Sequence, residues 1–188
     1  MFRFFKQQQT ESDRLIDKRQ KKGKFGMKRE ILLLGDPRLY RVSEPVQKED
    51  CANLLLTVRD LHDTLFDYRE KHHAGRAIAA PQIGCMKRLI YMHIEKPVIL
   101  INPELEFIGE EMITVLDDCM SFPGLLVKVR RYKTAKITFR DPDWEQHTMD
   151  LSGDLSELLQ HEYDHLDGIL ATMRAIDNRS FYIKKPEA

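Results

Sequence analysis

The sequence has little cysteine and tryptophan and no net charge. Its 188 residues include three cysteines and one tryptophan, and its 30 basic side chains match its 30 acidic ones. An odd cysteine count in a charged chain argues against a disulfide framework and favours a reducing compartment. A balanced charge argues against the basic surface that binds nucleic-acid phosphates. We therefore expect no disulfide scaffold and no sequence-specific nucleic-acid partner.

Long hydrophobic runs are also missing. No apolar run approaches the roughly 20 residues that span a bilayer, and no secretory hydrophobic region opens the chain. We therefore expect no membrane association and a cytoplasmic location. A length of 188 residues favours one domain with a sizeable core.

The N-terminal residues 1–26 differ in composition from the rest. They hold eight basic residues, three acidic residues and three consecutive glutamines. This composition predicts a basic extension that is either an exposed helix or mobile. Transit peptides are poor in acidic residues and this stretch has three, so targeting to an organelle is the weaker interpretation beside a solvated extension or an oligomer contact. Residues 27–188 are predicted to form the folded domain.

Apolar spacing predicts the secondary structure. A helix is expected over 49–73, with Gly75 as its stop and one apolar stripe, Leu54, Val58, Leu61, Leu65 and Tyr68. Strands are expected at 89–92, 98–101, 125–129, 135–139 and 146–151. Asn102-Pro103 is expected to end the second strand, and a capping box of Asp154 and Glu157 to begin a last helix. The predicted fold class is α+β, with mostly antiparallel twisted sheets around this C-terminal helix.

The last helix carries the sequence His161-Glu162-Tyr163-Asp164-His165. Residues four apart share a helix face, so the two imidazoles can bind one metal ion. Glu162 projects beside them as a candidate general base, the arrangement typical of H-E-x-x-H. The alternative is a pair of helix histidines whose nitrogens are satisfied by hydrogen bonds.

A third metal ligand is needed, because a catalytic site of this type uses three protein ligands and one open position. No histidine follows Gly168, which disfavours a zincin-like protease, so the ligand must lie upstream. Cys119 is the best candidate, in the polar stretch 116–124 between strands, although a lone cysteine is more often a buried structural thiol. A Cys-His-His set suits Fe(II), Zn, Co or Ni.

A stretch of small residues at 75–84 precedes the first predicted strand. Gly75, Ala77, Ala79 and Ala80 crowd before Gln82. Small residues let a backbone approach a ligand closely, and the Gln82 amide can donate to a developing oxyanion. The alternative is a tight turn with Gln82 exposed.

Together these stretches resemble the peptide deformylase family. That family has three ordered motifs, G-x-G-φ-A-A-x-Q, E-G-C-φ-S and H-E-x-x-H, in which φ is apolar. The three motifs align with residues 75–82, 117–121 and 161–165. The short sequences APQIG, NPEL, SFPG and HLDG nearby also resemble those of the family. The resemblance covers about 27–170, so it implies a deformylase-like catalytic domain in 27–188.

The resemblance implies a metal-dependent hydrolase, acting in protein biosynthesis, that removes the formyl group from formyl-methionine at the N terminus of nascent polypeptides. Cys119, His161 and His165 would bind one divalent ion, Fe(II) in the native family state, with Zn or Ni substituting. Glu162 would transfer protons, and the Gln82 side chain and Met120 backbone N–H would hold the oxyanion. Formyl-methionyl peptides, and possible contact with the ribosome, are the expected partners.

The implied substrate contacts are Gly75, Ala77 and Ile78, with an apolar pocket near Ile78 for the methionine side chain. Ala77 replaces a family glycine and would add about 1–2 kcal/mol of strain if that position needs a positive φ. Asp117-Asp118 replaces Glu-Gly, and Asp118 would matter only if buried. Two alternatives stay open: a relative acting on another N-acyl compound, and a catalytically weak scaffold that binds formyl-peptides.

Overall fold

A computed structural model describes residues 27–184, apart from the side chains of Ala52 and Asn53. The predictions for the extension, 1–26, lie outside the described residues. Within 27–184, no helix combines the length and hydrophobicity that crossing a bilayer requires.

Two α-helices and eight strands are found in the described part of the chain. The helices are α1 (Cys51–His72) and α2 (Asp154–Leu166). The strands are β1 (Ala77–Ala79), β2 (Leu89–His93), β3 (Pro97–Phe107), β4 (Met112–Asp118), β5 (Leu125–Tyr132), β6 (Thr134–Arg140), β7 (Gln146–Ser152) and β8 (Phe181–Ile183).

The strands form two antiparallel sheets. One has five strands in the order β1-β2-β3-β6-β7, and the other has three in the order β4-β5-β8. The β6–β7 pair is the hairpin predicted around the turn at 141–143. The observed architecture confirms the α+β prediction.

Helix α1 buries its predicted apolar stripe. Leu54, Val58, Leu61 and Leu65 lie in one cluster with β1, β2 and β3, and Tyr68 is partly buried against it. The helix ends differently from the prediction. His73, with φ of 51°, adopts the left-handed conformation and donates its N–H to the Arg69 carbonyl. The residue that caps the helix is therefore His73 and not Gly75.

Strand β3 continues through Asn102-Pro103, where the sequence predicted an end. The pairing with β6 shifts register between Ile101 and Glu104, as in a β-bulge. Asn102 sits at the bulge with φ of 48°. Its amide exchanges two hydrogen bonds with the Val46 backbone, at 2.8 and 2.9 Å. The residues that resemble a turn in the sequence thus bend the strand without ending it.

Helix α2 packs on the opposite face of the larger sheet from α1. Leu158, Leu159 and Leu166 pack there against buried residues of β1, β2, β3, β6 and β7. Gln160 joins α2 to the smaller sheet, because its amide bonds both the N–H and the carbonyl of Tyr132. The predicted capping box is wrong: Gly153, with φ of 55°, is the N-cap and has no side chain to donate or accept. The helix is thus fixed by contacts with both sheets.

Candidate metal centre

Helix α2 presents two histidines on one buried face. His161 and His165 are 5% and 1% exposed, and their Nε2 atoms lie 3.2 Å apart. One helical turn separates the residues, so both rings reach the same point beside the helix. The sequence prediction that these imidazoles can share an ion agrees with this geometry.

Cys119 reaches the same point from the smaller sheet. It follows β4 directly, in the turn before β5, and is buried. Its Sγ lies 3.3 Å from Nε2 of His165. The three ligand atoms of Cys119, His161 and His165 all lie within 4.8 Å of one another. The structure therefore brings together the ligand set that the sequence proposed.

The spacing of these atoms suits a divalent ion. Metal–nitrogen bonds of about 2.0–2.1 Å and metal–sulfur bonds of about 2.3 Å in a tetrahedron place ligand atoms ~3.3–3.6 Å apart. The two closest separations here are 3.2 and 3.3 Å. Burial, together with the charge of His161, lowers the pKa of His165 well below its usual value. A neutral imidazole and a thiol that loses its proton to a metal are the forms that bind.

An acidic side chain supports His161 from behind. Oδ1 of Asp117 lies 2.7 Å from Nδ1 of His161, the distance of an ion pair. Burial lowers the pKa of His161, but the charges of Asp117 and Cys119 outweigh it and raise that pKa well above its usual value. Metal-ligating histidines commonly use their second nitrogen in this way.

Asp117 is itself held in a buried ion network. Arg131 is only 3% exposed. Its guanidinium nitrogens lie 2.7 Å from Oδ2 of Asp117 and 2.5 Å from Oδ2 of Asp164 in α2. Burial raises the pKa of Asp117, but His161 and Arg131 outweigh it and lower the pKa to about 2. Of the adjacent pair Arg130-Arg131, only Arg130 is exposed to solvent, and Arg131 points inward. Its alternation with buried Val127 and Val129 along β5 is the signal that could have placed it inward.

Glu162 lies beside the ligands and is 3% exposed. Its Oε2 has no hydrogen-bond partner among the described residues. Burial raises the pKa of Glu162 to about 7. The charge of His161 opposes this rise, and the charges of Asp117 and Glu157 add to it. A buried carboxyl group with one free oxygen at a cleft can accept and return a proton near neutral pH.

Gln82 lies on the other side of Cys119. Its Oε1 accepts from the Ala79 N–H at 2.9 Å, which fixes the side chain so that Nε2 points into the site. Nε2 lies 3.4 Å from Sγ of Cys119 and 3.3 Å from Oγ of Ser121. The amide is buried, and the alternative of an exposed Gln82 is therefore wrong.

An N-terminal arm, residues 31–34, is hydrogen-bonded both to Gln82 and to the turn that contains Cys119. The N–H of Leu32 donates to the Gln82 carbonyl at 2.8 Å, and the N–H of Leu34 donates to the Ser121 carbonyl at 2.7 Å. No local pattern indicates that this arm lies beside the centre. Its two hydrogen bonds fix the backbone on which the amide and the cysteine turn are placed.

A cleft of about 510 Å³, including open solvent, leads to the centre. Its walls come from the end of α1, the segment before β1, the cysteine turn and α2. Gly75, Ala77 and Met120, all predicted at the site, line it. Ile78 does not: it is completely buried in the core beneath α1, and its role as a substrate contact remains a prediction.

Two departures from the family motifs have small structural effects. Ala77 lies in β1 and is not among the residues with positive φ, so the strain considered for it does not arise. Asp118 is exposed, while Asp117 points inward to His161. The extra carboxylate therefore stands at the cleft surface, and the shorter one still reaches its partners.

The chain is similar to one known protein family over most of its length. The family model described as polypeptide deformylase matches residues 28–180. The peptide deformylase of Thermotoga maritima is 33% identical over 156 residues, covering 82% of this chain and 92% of that protein. The peptide deformylase of Brachyspira hyodysenteriae is 35% identical over 152 residues, covering 76% and 78%.

Solved structures give the same result. The crystal structure of the Thermotoga maritima peptide deformylase has a TM-score of 0.73 and covers 80% of this chain and 99% of its own. The peptide deformylase of Synechococcus elongatus, solved in complex with actinonin, is 29% identical, with a TM-score of 0.73 and coverage of 80% of each chain.

Proposed function

The chain belongs to the polypeptide deformylase family, and we propose that Cys119, His161 and His165 bind its divalent ion. The family is metal-dependent and removes the formyl group from the N terminus of nascent peptides. The protein is thus a hydrolase that acts on a linear amide of formyl-methionyl peptides. The observation that supports the ligand assignment is the convergence of one sulfur and two imidazole nitrogens within 4.8 Å.

We propose Fe(II) as the native ion, with Zn or Ni as substitutes, because one soft thiolate and two imidazoles suit these metals. When bound, the ion supplies a Lewis acid that makes water nucleophilic near neutral pH. Cys119, His161 and His165 would hold the ion, and Glu162 lines the cleft beside them. The protein's own side chains then control where protons and charge move.

Glu162 is the proposed proton carrier. Its free Oε2 accepts the proton that water loses as it attacks the formyl carbon. The same oxygen then donates that proton to the leaving peptide nitrogen, so that formate and a free α-amine result. Burial of the carboxyl group keeps bulk water away from this exchange.

Gln82 and Met120 are the proposed oxyanion donors. The Gln82 Nε2 is pre-oriented by the hydrogen bond from Ala79 to its Oε1. Met120 follows the ligand Cys119, so its backbone N–H lies at the same wall of the cleft. Donors fixed before the reaction stabilise developing negative charge without reorganisation.

The substrate is proposed to lie along the segment that enters β1. Gly75 and Ala77 line the cleft there and leave room for a peptide backbone. Since nascent chains are the substrate, we propose a cytoplasmic enzyme that meets them at the ribosome. A relative acting on another N-acyl compound, or a scaffold without turnover, is less well supported, because the three proposed ligands converge and Glu162 and Gln82 line the cleft beside them.

Metal removal is the first test. We expect the Ni(II)-loaded or anaerobic Fe(II)-loaded protein to release formate from formyl-Met-Ala-Ser, and a chelator to abolish the reaction until metal is restored. Cys119→Ser should lose the thiolate-to-metal absorption of a Co(II)-loaded sample and bind Co(II) at least 10-fold more weakly, because a soft anionic ligand is replaced by a neutral hydroxyl.

Cys51→Ser is the matched control, since Cys51 begins α1 and lies outside the site. It should keep both the absorption and the turnover. Turnover that survives complete metal removal, or an unchanged Co(II) spectrum in Cys119→Ser, would contradict the proposed ligand set.

Gln82→Glu tests the oxyanion donor. The substitution keeps the shape and the oxygen that accepts from Ala79, but it replaces the donor Nε2 by an acceptor. We expect kcat for formyl-Met-Ala-Ser to fall by ~100- to 1000-fold, the usual effect of losing one such donor. Metal content, measured on the same sample, should not change. A kcat within a few-fold of the parent enzyme would rule out this role.

A further inference from the structure

One arginine outside the cleft is hydrogen-bonded to a residue that lines it. Arg69 lies in the last turn of α1, and its guanidinium carbon lies 4.9 Å from the centre of the Phe66 ring. Its Nε and Nη2 donate to the Gly75 carbonyl at 3.0 and 2.7 Å, and Nη2 also donates to the His93 carbonyl at 2.7 Å. Gly75 lines the cleft, whereas Arg69 is not among the described residues that do so. Arg69 therefore ties the cleft segment to the end of β2.

These three hydrogen bonds begin where regular strand pairing ends. Ala77 is the first residue of β1 to pair with β2, and just before it the His93 N–H donates to the Arg76 carbonyl at 2.8 Å. Gly75 comes next along the chain, with φ of +112°, a conformation outside the strand region, so its carbonyl does not continue the ladder. A guanidinium is a charged donor with a fixed fork and can bond two carbonyls at once. Arg69 thus supplies the partner that a neighbouring strand would otherwise give.

The segment from Gly75 to Ala79 leads from the end of α1 to the metal centre. The Ala79 N–H donates to Oε1 of Gln82 at 2.9 Å, which fixes that end of β1 beside the centre. Gly75 is four residues earlier, so at the rise of about 3.3 Å per residue of an extended chain it lies at most ~13 Å from Ala79. An extended peptide has the same rise per residue. With its formyl group at the centre, its second and third residues therefore lie beside this segment.

We propose that Arg69 is a positioning residue, which fixes Gly75 so that the second and third residues of a formylated peptide bind along this segment. The inference rests on the proposed function. Without the guanidinium, the Gly75 carbonyl loses its donors and the segment gains conformational freedom, which the binding of a peptide must then remove. Arg69 bonds backbone carbonyls and belongs to neither the proposed proton carrier nor the proposed oxyanion donors. Its loss should therefore weaken binding and leave the chemical step unchanged.

The first experiment compares two substrates on metal-loaded full-length Arg69→Met, whose new side chain can still cover the Phe66 ring. Formyl-Met-Ala-Ser has a second and a third residue, and formyl-Met amide has neither. We expect KM for formyl-Met-Ala-Ser to rise about 10-fold, with kcat within about 2-fold of the parent enzyme. KM for formyl-Met amide should stay within about 2-fold of the parent value, because this substrate is too short to reach Gly75.

Arg140→Met is the matched control. Arg140 also donates to a backbone carbonyl, that of Trp144 at 2.8 Å, and its guanidinium carbon lies 5.3 Å from the centre of the Trp144 ring. It is the last residue of β6 and is not among the described cleft-lining residues, so its substitution should change neither KM nor kcat. Arg69→Lys keeps the charge without the fixed fork, so KM for formyl-Met-Ala-Ser should rise only about 3-fold. This variant decides the inference if Arg69→Met fails to fold.

Equilibrium binding of the deformylated products, Met-Ala-Ser and Met amide, gives a second readout that does not need turnover. The dissociation constant of Met-Ala-Ser should rise about 10-fold in Arg69→Met, while that of Met amide stays as in the parent enzyme. An unchanged constant for Met-Ala-Ser, or an equal loss for both products, overturns the inference, because a purely structural arginine would affect both alike or neither. No turnover of any formyl peptide, despite a full metal site, would instead overturn the proposed function, and the product affinities would still decide the inference.

Discussion

We expect Glu162→Gln to lower kcat for formyl-Met-Ala-Ser by about 100- to 10,000-fold, with metal content unchanged. The substitution keeps the size of a side chain that is only 3% exposed, so the core around it need not move. It removes the oxygen that takes the proton from water and gives it to the leaving amine. The measurement is formate release on samples whose metal content has been determined.

Glu145→Gln is the matched control. Glu145 is exposed in the β6–β7 turn, away from the cleft, and its loss should not affect kcat. If Glu162→Gln kept the parent rate, another group would have to carry the proton. If it lost its metal, the side chain would be acting on the ligands, and the assignment as general base would be wrong.

We expect Gly168→Ala to lower the free energy of unfolding by about 2–5 kcal/mol. Gly168 follows α2 with φ of +70°, and a Cβ there would lie 2.6 Å from both the carbonyl carbon and the carbonyl oxygen of Tyr40. Backbone atoms cannot rotate away as a side-chain end can, so overpacking adds to the cost of a positive φ. Chemical denaturation of the two proteins gives the difference.

Gly109→Ala separates the two contributions. Gly109 has nearly the same φ, +73°, but nothing lies within 4 Å of a Cβ built on it. This variant should lose only about 1–2 kcal/mol, the cost of the left-handed conformation itself. Equal losses in the two variants would show that contact with Tyr40 is unimportant.

The sequence predicted the centre better than the surroundings that support it. The H-E-x-x-H spacing places two histidines on one helix face by geometry alone, and Cys119 was the best remaining candidate for a third ligand. The apolar stripe of α1 was also predicted from the sequence, because its spacing matches the period of a helix that is buried on one side.

The missed features depend on contacts between distant segments. Strand β4 alternates without a strong apolar face, and no local pattern shows that Asp117 turns inward to meet Arg131 and His161. Glu157 resembled a helix cap, but its partner, Arg76, comes from a segment far away in the chain. Asn102 looked like a strand end because a bulge and a turn use the same residue types.

The placement of the ligands on separate units has one more consequence. Cys119 belongs to the turn after β4, whereas both histidines belong to α2, and the intervening chain contains β5, β6 and β7. A cation held at both ends would close this stretch into a ring, as a cross-link does, and would bind the native chain in preference to the denatured one. The catalytic ion would then also stabilise the packing of α2 against the smaller sheet. In cells short of the metal, the protein would be both inactive and easier to unfold.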